Sequence, residues 1–252
     1  ADHLERHGNL NKYADAKLKL IYNQEKNKQS YIEKNNRILT KNIKNRKIKS
    51  KINKVTYNKK DFFKKKIKNL YLLDENNLNN IHFVYLICKK FKLSDYKIFR
   101  SLNIFKGLKY RKEIIYNKKK LKIINDSKST SFSSTVGLLS SYKNIYWIVG
   151  GLNKKGDKFI LPKKYYKNIF AYIIGLNKNY FVNQFQNRIK FKFVRTLKQA
   201  ILAIKKDIKY DALSKTILFS PAAASFDQFS NFEERGKLFN KLIANNLLKN
   251  DK

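Results

Sequence analysis

A chain of 252 residues with 42% hydrophobic content is long enough to bury one large core or two modest ones. Its 57 Lys and Arg against 18 Asp and Glu give a formal net charge of +39, which by itself points to nucleic acid or an anionic membrane surface. The excess is nearly all Lys, however, and it travels with Asn, Ile, Tyr and Phe along the whole chain. These are residues of A- and T-rich codons, so a biased genome explains the charge better than a binding face does, and nucleic acid is not the expected partner.

The single Cys, Cys88, excludes an internal disulfide framework or zinc cluster and fits a reducing, cytoplasmic setting. No apolar run reaches the roughly 18 residues of a membrane span, and no signal segment opens the sequence, so a soluble, monomeric protein is expected. With no Met anywhere and an opening of Ala1-Asp2-His3-Leu4, the sequence reads as a piece of something longer.

Residues 9 to 24 form the first expected helix, with Asn9 as N-cap and Leu10, Tyr13, Ala14 and Ile21 on one stripe. Lys17 falls in the middle of that stripe. Periodicity alone allows it to be a lysine that snorkels past its neighbours. The basic, Asn-rich stretch 25 to 70 contains short alternating pieces such as Ile52 to Tyr57, expected as edge strands of a small sheet. Residues 77 to 91 and 94 to 104 read as two helices, the second capped by Ser94, burying Phe83, Val84, Ile87, Tyr96, Phe99 and Leu102. A boundary is expected near Phe105-Lys106-Gly107.

Beyond it, apolar runs alternate with helical segments, the pattern of an α/β unit on a mostly parallel sheet. Glu113 to Tyr116 and Leu121 to Asn125 read as a hairpin. Ile145 to Val149, Ala171 to Ile174 and Thr216 to Phe219 read as strands covered on both faces. The last helix spans about Asn231 to Leu248, with Phe232, Leu238, Leu242 and Ile243 toward the core.

Ligands of open parallel sheets sit at the carboxyl ends of the strands, which singles out four loops. They are Asn125 to Thr130, Gly150-Gly151 with Asn153 to Asp157, Gly175 to Asn177, and Ser220 to Ser225 with Asp227 to Phe229. The small residues of the last admit a ligand close to the backbone, and N–H groups near a helix start suit a carboxylate or phosphate. Lys128 and Lys154 would add positive charge. Small residues also simply permit tight packing, so it is the convergence of four loops on one edge that implies a site for an acidic small molecule. No Gly-x-Ser-x-Gly, His-Glu-x-x-His, Cys-x-x-Cys or Gly-x-Gly-x-x-Gly arrangement supports another chemistry. His7 and His82 read as surface or boundary residues, and His3 beside Asp2 is a weak metal candidate.

Across Asp2 to about Ala244, interrupted by the divergent stretch 25 to 70, the sequence resembles the Mur ligases, and within them the branch that adds D-glutamate. The resemblance rests on Asp2-His3-Leu4-Glu5-Arg6-His7-Gly8 with Tyr13 and Ala16-Lys17, on Gly107 to Arg111, and on Ile124 to Thr130 with Gly150-Gly151. Its longest block runs from Ser220 to Phe229 and on through Asn231 to Gly236. It implies a Rossmann-like C-terminal domain over 106–252, preceded at 1–105 by part of an α/β ATP-binding central domain. It also implies ATP-dependent ligation of D-glutamate to UDP-N-acetylmuramoyl-L-alanine through an acyl phosphate, with ATP and Mg²⁺ as cofactors.

By the same resemblance Lys17 aligns with a carbamylated lysine and, with His3, would hold the metal. Burial favours the neutral amine that reacts with CO₂, and a carbamate is an oxygen ligand suited to Mg²⁺. Arg111 would meet the γ-phosphate, Asp126 the ribose, and Asn77 and Asn80 the adenosine. Lys128, Thr130, Lys154, Ser225 and the backbone at Phe232 would hold the two carboxylates of D-glutamate, with Lys155 an alternative to Lys154. Asn76-Asn77 stands where the family has His-Asn, and Ala223 where it commonly has Cys. The family's uridine-binding domain and Gly-rich phosphate loop are absent from the sequence given, so the chain alone is expected not to turn over. A basic nucleic-acid-binding protein and a non-catalytic relative are the alternatives.

Overall fold

The computed structural model describes residues 8–44, 46–73, 75–118, 120–208 and 213–248. They divide into two compact units, Ala1–Lys106 and Gly107–Lys252. His3 and His7 lie outside the described residues.

In the first unit, helix α1 (Leu10–Tyr22) starts at Asn9, whose side chain accepts from the Lys12 N–H at 2.9 Å. The apolar stripe is not the one expected. Ala14 and Leu18 are the buried positions, whereas Leu10 is exposed and Tyr13 and Ile21 are half-buried. Lys17 is therefore not held among apolar side chains. It is exposed, with its ammonium 5.6 Å from the centroid of the Tyr13 ring, because the packed face is centred one position further along the helix.

Strands β1 (Gln29–Glu33) and β2 (Lys51–Val55) pair in parallel, Gln29 opposite Lys51, and the parallel pairing requires a crossover. Helix α2 (Arg37–Lys44) lies within that connection. The pattern did not announce α2, since it buries no residue, nor α3 (Lys60–Lys66), which buries only Phe63. A short 3₁₀ turn at Leu70–Leu72 precedes α4 (Glu75–Lys90) and α5 (Asp95–Ile104).

The core of this unit is Phe63, Ile67, Leu72, Leu78, Ile81, Tyr85, Ile98 and Phe99. Val84, Ile87 and Tyr96 were expected inside, yet all three are exposed. The buried face of α4 runs through Leu78, Ile81, His82 and Tyr85 instead, because the aromatic rings of α3 pack there. His82 is a core residue rather than a surface one. Its Nε2 accepts from the Lys59 N–H at 3.0 Å and its Nδ1 donates to the Leu78 carbonyl at 2.8 Å. The Phe63 ring meets it edge-on, 4.6 Å between centroids.

The second unit is a six-stranded sheet in the order β3-β4-β8-β5-β6-β7. Strands β3 (Glu113–Lys118) and β4 (Leu121–Asn125) form the antiparallel hairpin read from the sequence. Strands β4, β5 (Ile145–Gly150), β6 (Ile169–Ile174), β7 (Lys190–Arg195) and β8 (Lys215–Phe219) are all parallel. The edge strand β7 was not anticipated, and its mostly exposed, Lys-bearing pattern suits an edge.

Alternate residues face opposite layers. Ile124, Trp147, Val149, Ile173 and Leu218 pack with α6 (Phe132–Ser141) and α7 (Lys178–Phe185). Ile123, Ile148, Tyr172, Ile217 and Phe219 pack with α8 (Leu197–Asp207) and α9 (Phe232–Asn246). Strand β8, buried at every position, returns between β4 and β5. The loop after β4 leads to α6 on one face, and the loop after β8 leads to α9 on the other. This order reversal opens the carboxyl edge of the sheet to a ligand.

Replacing His82 by Leu should leave the Lys59 N–H without its partner, while the Leu78 carbonyl keeps its helical bond. The expected loss is about 1–3 kcal/mol of stability, read as a lowered midpoint in urea denaturation of the 252-residue chain.

Candidate functional site

The four loops singled out in the sequence leave the same edge of the sheet, and they are bonded to one another. Leu152 and Ala224 form an isolated antiparallel bridge, and the Gly150 N–H donates to the Pro221 carbonyl at 2.9 Å. This joins the β5 loop to the β8 loop. At Gly151, with φ +134°, a Cβ would overlap the Ala224 carbonyl oxygen, and at Gly175, with φ +83°, it would lie 2.5 Å from the Asp227 carboxylate. Only glycine permits that backbone and that approach. Asp227 closes the remaining gap by accepting from the Leu176 N–H at 3.2 Å, which brings the β6 loop into contact with the β8 loop.

The β4 loop is held from below by a buried charge. Arg235, on α9, is 1% exposed. It donates from Nε to the Ser127 hydroxyl at 3.1 Å and from one terminal nitrogen to the carbonyls of Ser127 at 2.7 Å and Ala223 at 3.1 Å. Burial pulls its pKa down to about 10, opposed by the nearby Asp227 charge, so the group stays cationic at neutral pH. Ser127 in turn donates to the Phe232 carbonyl at 2.9 Å. Arg235 lies inside the Asn231 to Gly236 block, where the residue pattern alone assigns it no role. Its signal was a charged residue at a core-facing position, flanked at helical spacing by Phe232 and Phe239.

Of the expected amino-acid residues, Lys128 and Phe232 come together. The Lys128 ammonium lies 3.8 Å from the centroid of the Phe232 ring, a cation–π contact that places positive charge beside the first turn of α9. Ser225 is buried in the β8 loop next to the Leu152–Ala224 bridge. Thr130 is exposed on the β4 loop. Lys154 is half-buried and acts on Asp157, whereas Lys155 is exposed. Asp157 accepts from the Phe132 N–H at 2.7 Å, so the β5 loop also caps α6. Burial raises the Asp157 pKa, against that N–H and Lys154.

Asp126, expected at a ribose, points inward in this structure. It is 4% exposed, with one oxygen accepting from the Ser220 hydroxyl at 2.7 Å and the other from the Lys112 N–H at 3.0 Å. It thereby pins the turn that carries the exposed Arg111. Burial pushes its pKa up to about 6, opposed by the Ser220 hydroxyl, the Lys112 N–H, and the charges of Lys112 and Arg111. The same turn is anchored by Tyr110, whose carbonyl accepts from the Lys128 N–H at 3.0 Å and whose ring covers Gly236.

Lys17, Asn77 and Asn80 belong to the first unit. Asn77 donates to the Tyr71 carbonyl at 2.8 Å, and Asn80 is exposed. Among the described residues no three His, Cys, Asp or Glu side chains gather where they could hold a metal. Lys17 as a free ammonium is no ligand, so the described residues do not by themselves compose a Mg²⁺ site.

Residues 1–98 match the Mur ligase middle domain family. A protein of Rickettsia bellii called UDP-N-acetylmuramoylalanine--D-glutamate ligase is 31% identical over 262 residues, covering 96% of this chain. The chain belongs to the Mur ligase family. The protein of the same name from the Wolbachia of Brugia malayi is 37% identical over 169 residues, 67% of this chain. This Mur ligase chain spans 58% of the first of these relatives and 34% of the second.

Among solved structures, Escherichia coli FolC in complex with DHPP and ADP superimposes with a TM-score of 0.60 at 12% identity, covering 97% of this chain and 60% of that one. The murein peptide ligase mpl of Psychrobacter arcticus gives 0.55 at 11% identity, covering 92% and 54%. At such identities these two attest the α/β fold alone.

Asp126 holds its proton more tightly folded than unfolded. Its contribution to stability is therefore fully present below about pH 4 and is lost as pH rises through about 6. Asp126→Asn should flatten that limb, worth about 3 kcal/mol at most, in denaturation midpoints measured from pH 4 to 8. Arg235→Met should cost about 3–5 kcal/mol by orphaning the Ser127 and Ala223 carbonyls. Arg235→Lys should recover only part of this, since one ammonium does not reproduce the planar fork. The same midpoints check both.

Proposed function

We propose that the chain is the D-glutamate-binding domain, at 106–252, and part of the ATP-binding central domain, at 1–105, of a cytoplasmic ligase. That enzyme would join D-glutamate to UDP-N-acetylmuramoyl-L-alanine in peptidoglycan precursor synthesis. The observation that carries the reading is the bonded convergence of the β4, β5, β6 and β8 loops, with the Lys128 ammonium held at the start of α9. The name shared by its relatives supports the same reading.

In this reading ATP phosphorylates the alanyl carboxylate and the amine of D-glutamate attacks the acyl phosphate. Lys128, Thr130, Lys154, Ser225 and the Phe232 backbone hold the two carboxylates, a dicarboxylate being matched by two lysines, two hydroxyls and a helix N-terminus. Holding both carboxylates leaves the amine as the free nucleophile and fixes its direction, which is where most of the rate gain of such a site arises. Arg111 meets the γ-phosphate, where charge shifts during transfer. Asp126 keeps its inward bonds to Ser220 and Lys112 and offers the ribose the lone pairs left beyond them, and Asn77 and Asn80 lie by the adenosine. Mg²⁺ belongs to the same reading, with His3 and carbamylated Lys17 on its side.

Ligase assays on a full-length polypeptide that contains this chain test the proposal. Phosphate release should require ATP, UDP-N-acetylmuramoyl-L-alanine and D-glutamate together. Release with another amino acid in place of D-glutamate, or none at all, would overturn it. Lys128→Ala and Ser225→Ala should raise the KM for D-glutamate roughly tenfold or more, a loss of about 1.4 kcal/mol or more, and that for ATP far less. Equal effects on both would show the amino-acid site to be misplaced. Lys17→Ala should abolish turnover, with partial rescue by short carboxylates.

A further inference from the structure

Beneath the β4 loop runs a continuous chain of hydroxyls. From the Asp126 carboxylate it passes to Ser220 at 2.7 Å, to Thr135 at 2.8 Å, to Ser129 at 2.6 Å and to Ser134 at 2.7 Å. Asp126, Ser220, Thr135 and Ser129 are buried, and Ser134 is exposed in the first turn of α6. At its far end the Ser134 hydroxyl donates to the Ser131 carbonyl at 2.6 Å. Three elements contribute, namely the loops after β4 and β8 and the start of α6.

Each hydroxyl has one proton to give, so the chain has two self-consistent arrangements over the same heavy atoms. When Asp126 is ionised, Ser220 donates to it, Thr135 to Ser220, Ser129 to Thr135, and Ser134 turns its proton toward Ser129. When Asp126 is neutral it donates to Ser220, every bond reverses, and Ser134 gives its proton to the Ser131 carbonyl. The contacts from Ser129 and Thr135 to the Ser131 carbonyl, at 3.5 Å, are too long to compete. No proton leaves the chain except the one gained or lost at Asp126. The charged groups acting on that carboxylate are Arg111 and Lys112, on the turn before β3.

We propose that Ser220 and Thr135 are positioning residues that couple the charge of Asp126 to the hydrogen-bond direction at Ser129 and Ser134, at the start of α6. In the ligase reading, on which the meaning of the coupling rests, Asp126 lies at the nucleotide and Thr130 at the amino acid. The chain is then how the two ends of the site sense each other. Its midpoint falls near pH 6, where burial has brought Asp126, so a cation or hydrogen-bond donor arriving at that carboxylate biases the arrangement. Ser220 and Thr135 are both fully buried.

The test is an NMR titration of the 252-residue chain, following the Asp126 carboxyl carbon and the Ser131 and Ser134 amides. In the parent chain and in Thr135→Ser, the α6 amides should titrate with the Asp126 midpoint. Thr135→Val leaves the Ser220 proton no acceptor but Asp126, so the Asp126 pKa should fall and the α6 amides should stop following it. Ser220→Ala removes the donor to the ionised form, so the Asp126 pKa should rise. Shifts in the same direction for both variants, or α6 amides that still follow Asp126 in Thr135→Val, would overturn the proposal. An amide spectrum matching the parent's away from the site shows that each variant folds.

A second arm measures D-glutamate KM at pH 6 and pH 8 in the full-length polypeptide. Thr135→Val should erase the pH dependence, leaving kcat within about twofold, a change of about 0.4 kcal/mol in barrier, and Thr135→Ser should restore it. A parent that ignores D-glutamate would sink the ligase reading alone, because the titration still decides the relay. A pH dependence unchanged in Thr135→Val would overturn the link between the relay and the amino acid.

Discussion

One buried guanidinium organises the second unit. Arg235 sits at 1% exposure with its bonds going to the β4 and β8 loops, and the desolvation of such a charge is tolerable only because carbonyl and hydroxyl oxygens surround it. The two loops cannot separate without stranding that charge. The Ser225 and Lys128 loops therefore keep a fixed spacing, and α9, which carries Arg235, is locked with its first turn between them. Close approach at Gly151 extends the same constraint to the β5 loop, and Asp227 extends it to the β6 loop.

This brace stands at the place where the sheet reverses its order. Strand β8 enters between β4 and β5, so the helices that follow β4 and β8 diverge to opposite layers at the carboxyl edge. The loops there carry polar backbone, Lys128, Lys154 and the N-terminus of α9. In the proposed reading these groups suit an anion rather than an apolar ligand. Its polar groups are not independent of one another. Asp126 fixes the Arg111 turn on one side and heads the hydroxyl chain on the other.

The charge of +39 bears little on this arrangement. Most lysines lie on exposed or half-buried positions of both units, while the site depends on a few placed groups. Lys128 stands over an aromatic ring, Arg235 is buried, and Lys154 faces Asp157.

The strands β4, β5, β6 and β8 were legible because strands covered on both faces are continuous apolar runs, and the loops that follow them stood out through Gly, Ala, Ser and Asp. That pattern, with parallel pairing implied, was enough to place Asp126, Lys128, Lys154 and Ser225 on one edge. Helices α2 and α3 and strand β7 were not legible, since they bury too little for a periodic signal. The inward faces of α1 and α4 were misread by about one position, leaving Lys17 and Val84 exposed and His82 buried. A helical face is chosen by what packs against it, here the rings of α3 for α4, and that choice is not contained in the helix's own spacing. Only the folded chain decided that Arg235 braces the loops and that Ser220, Thr135 and Ser129 line up behind Asp126. The contacts that close these networks, Ser220 with Thr135, Ser220 with Asp126 and Arg235 with Ser127, join residues 85, 94 and 108 positions apart, where local pattern carries no register and only the folded geometry makes a hydrogen bond.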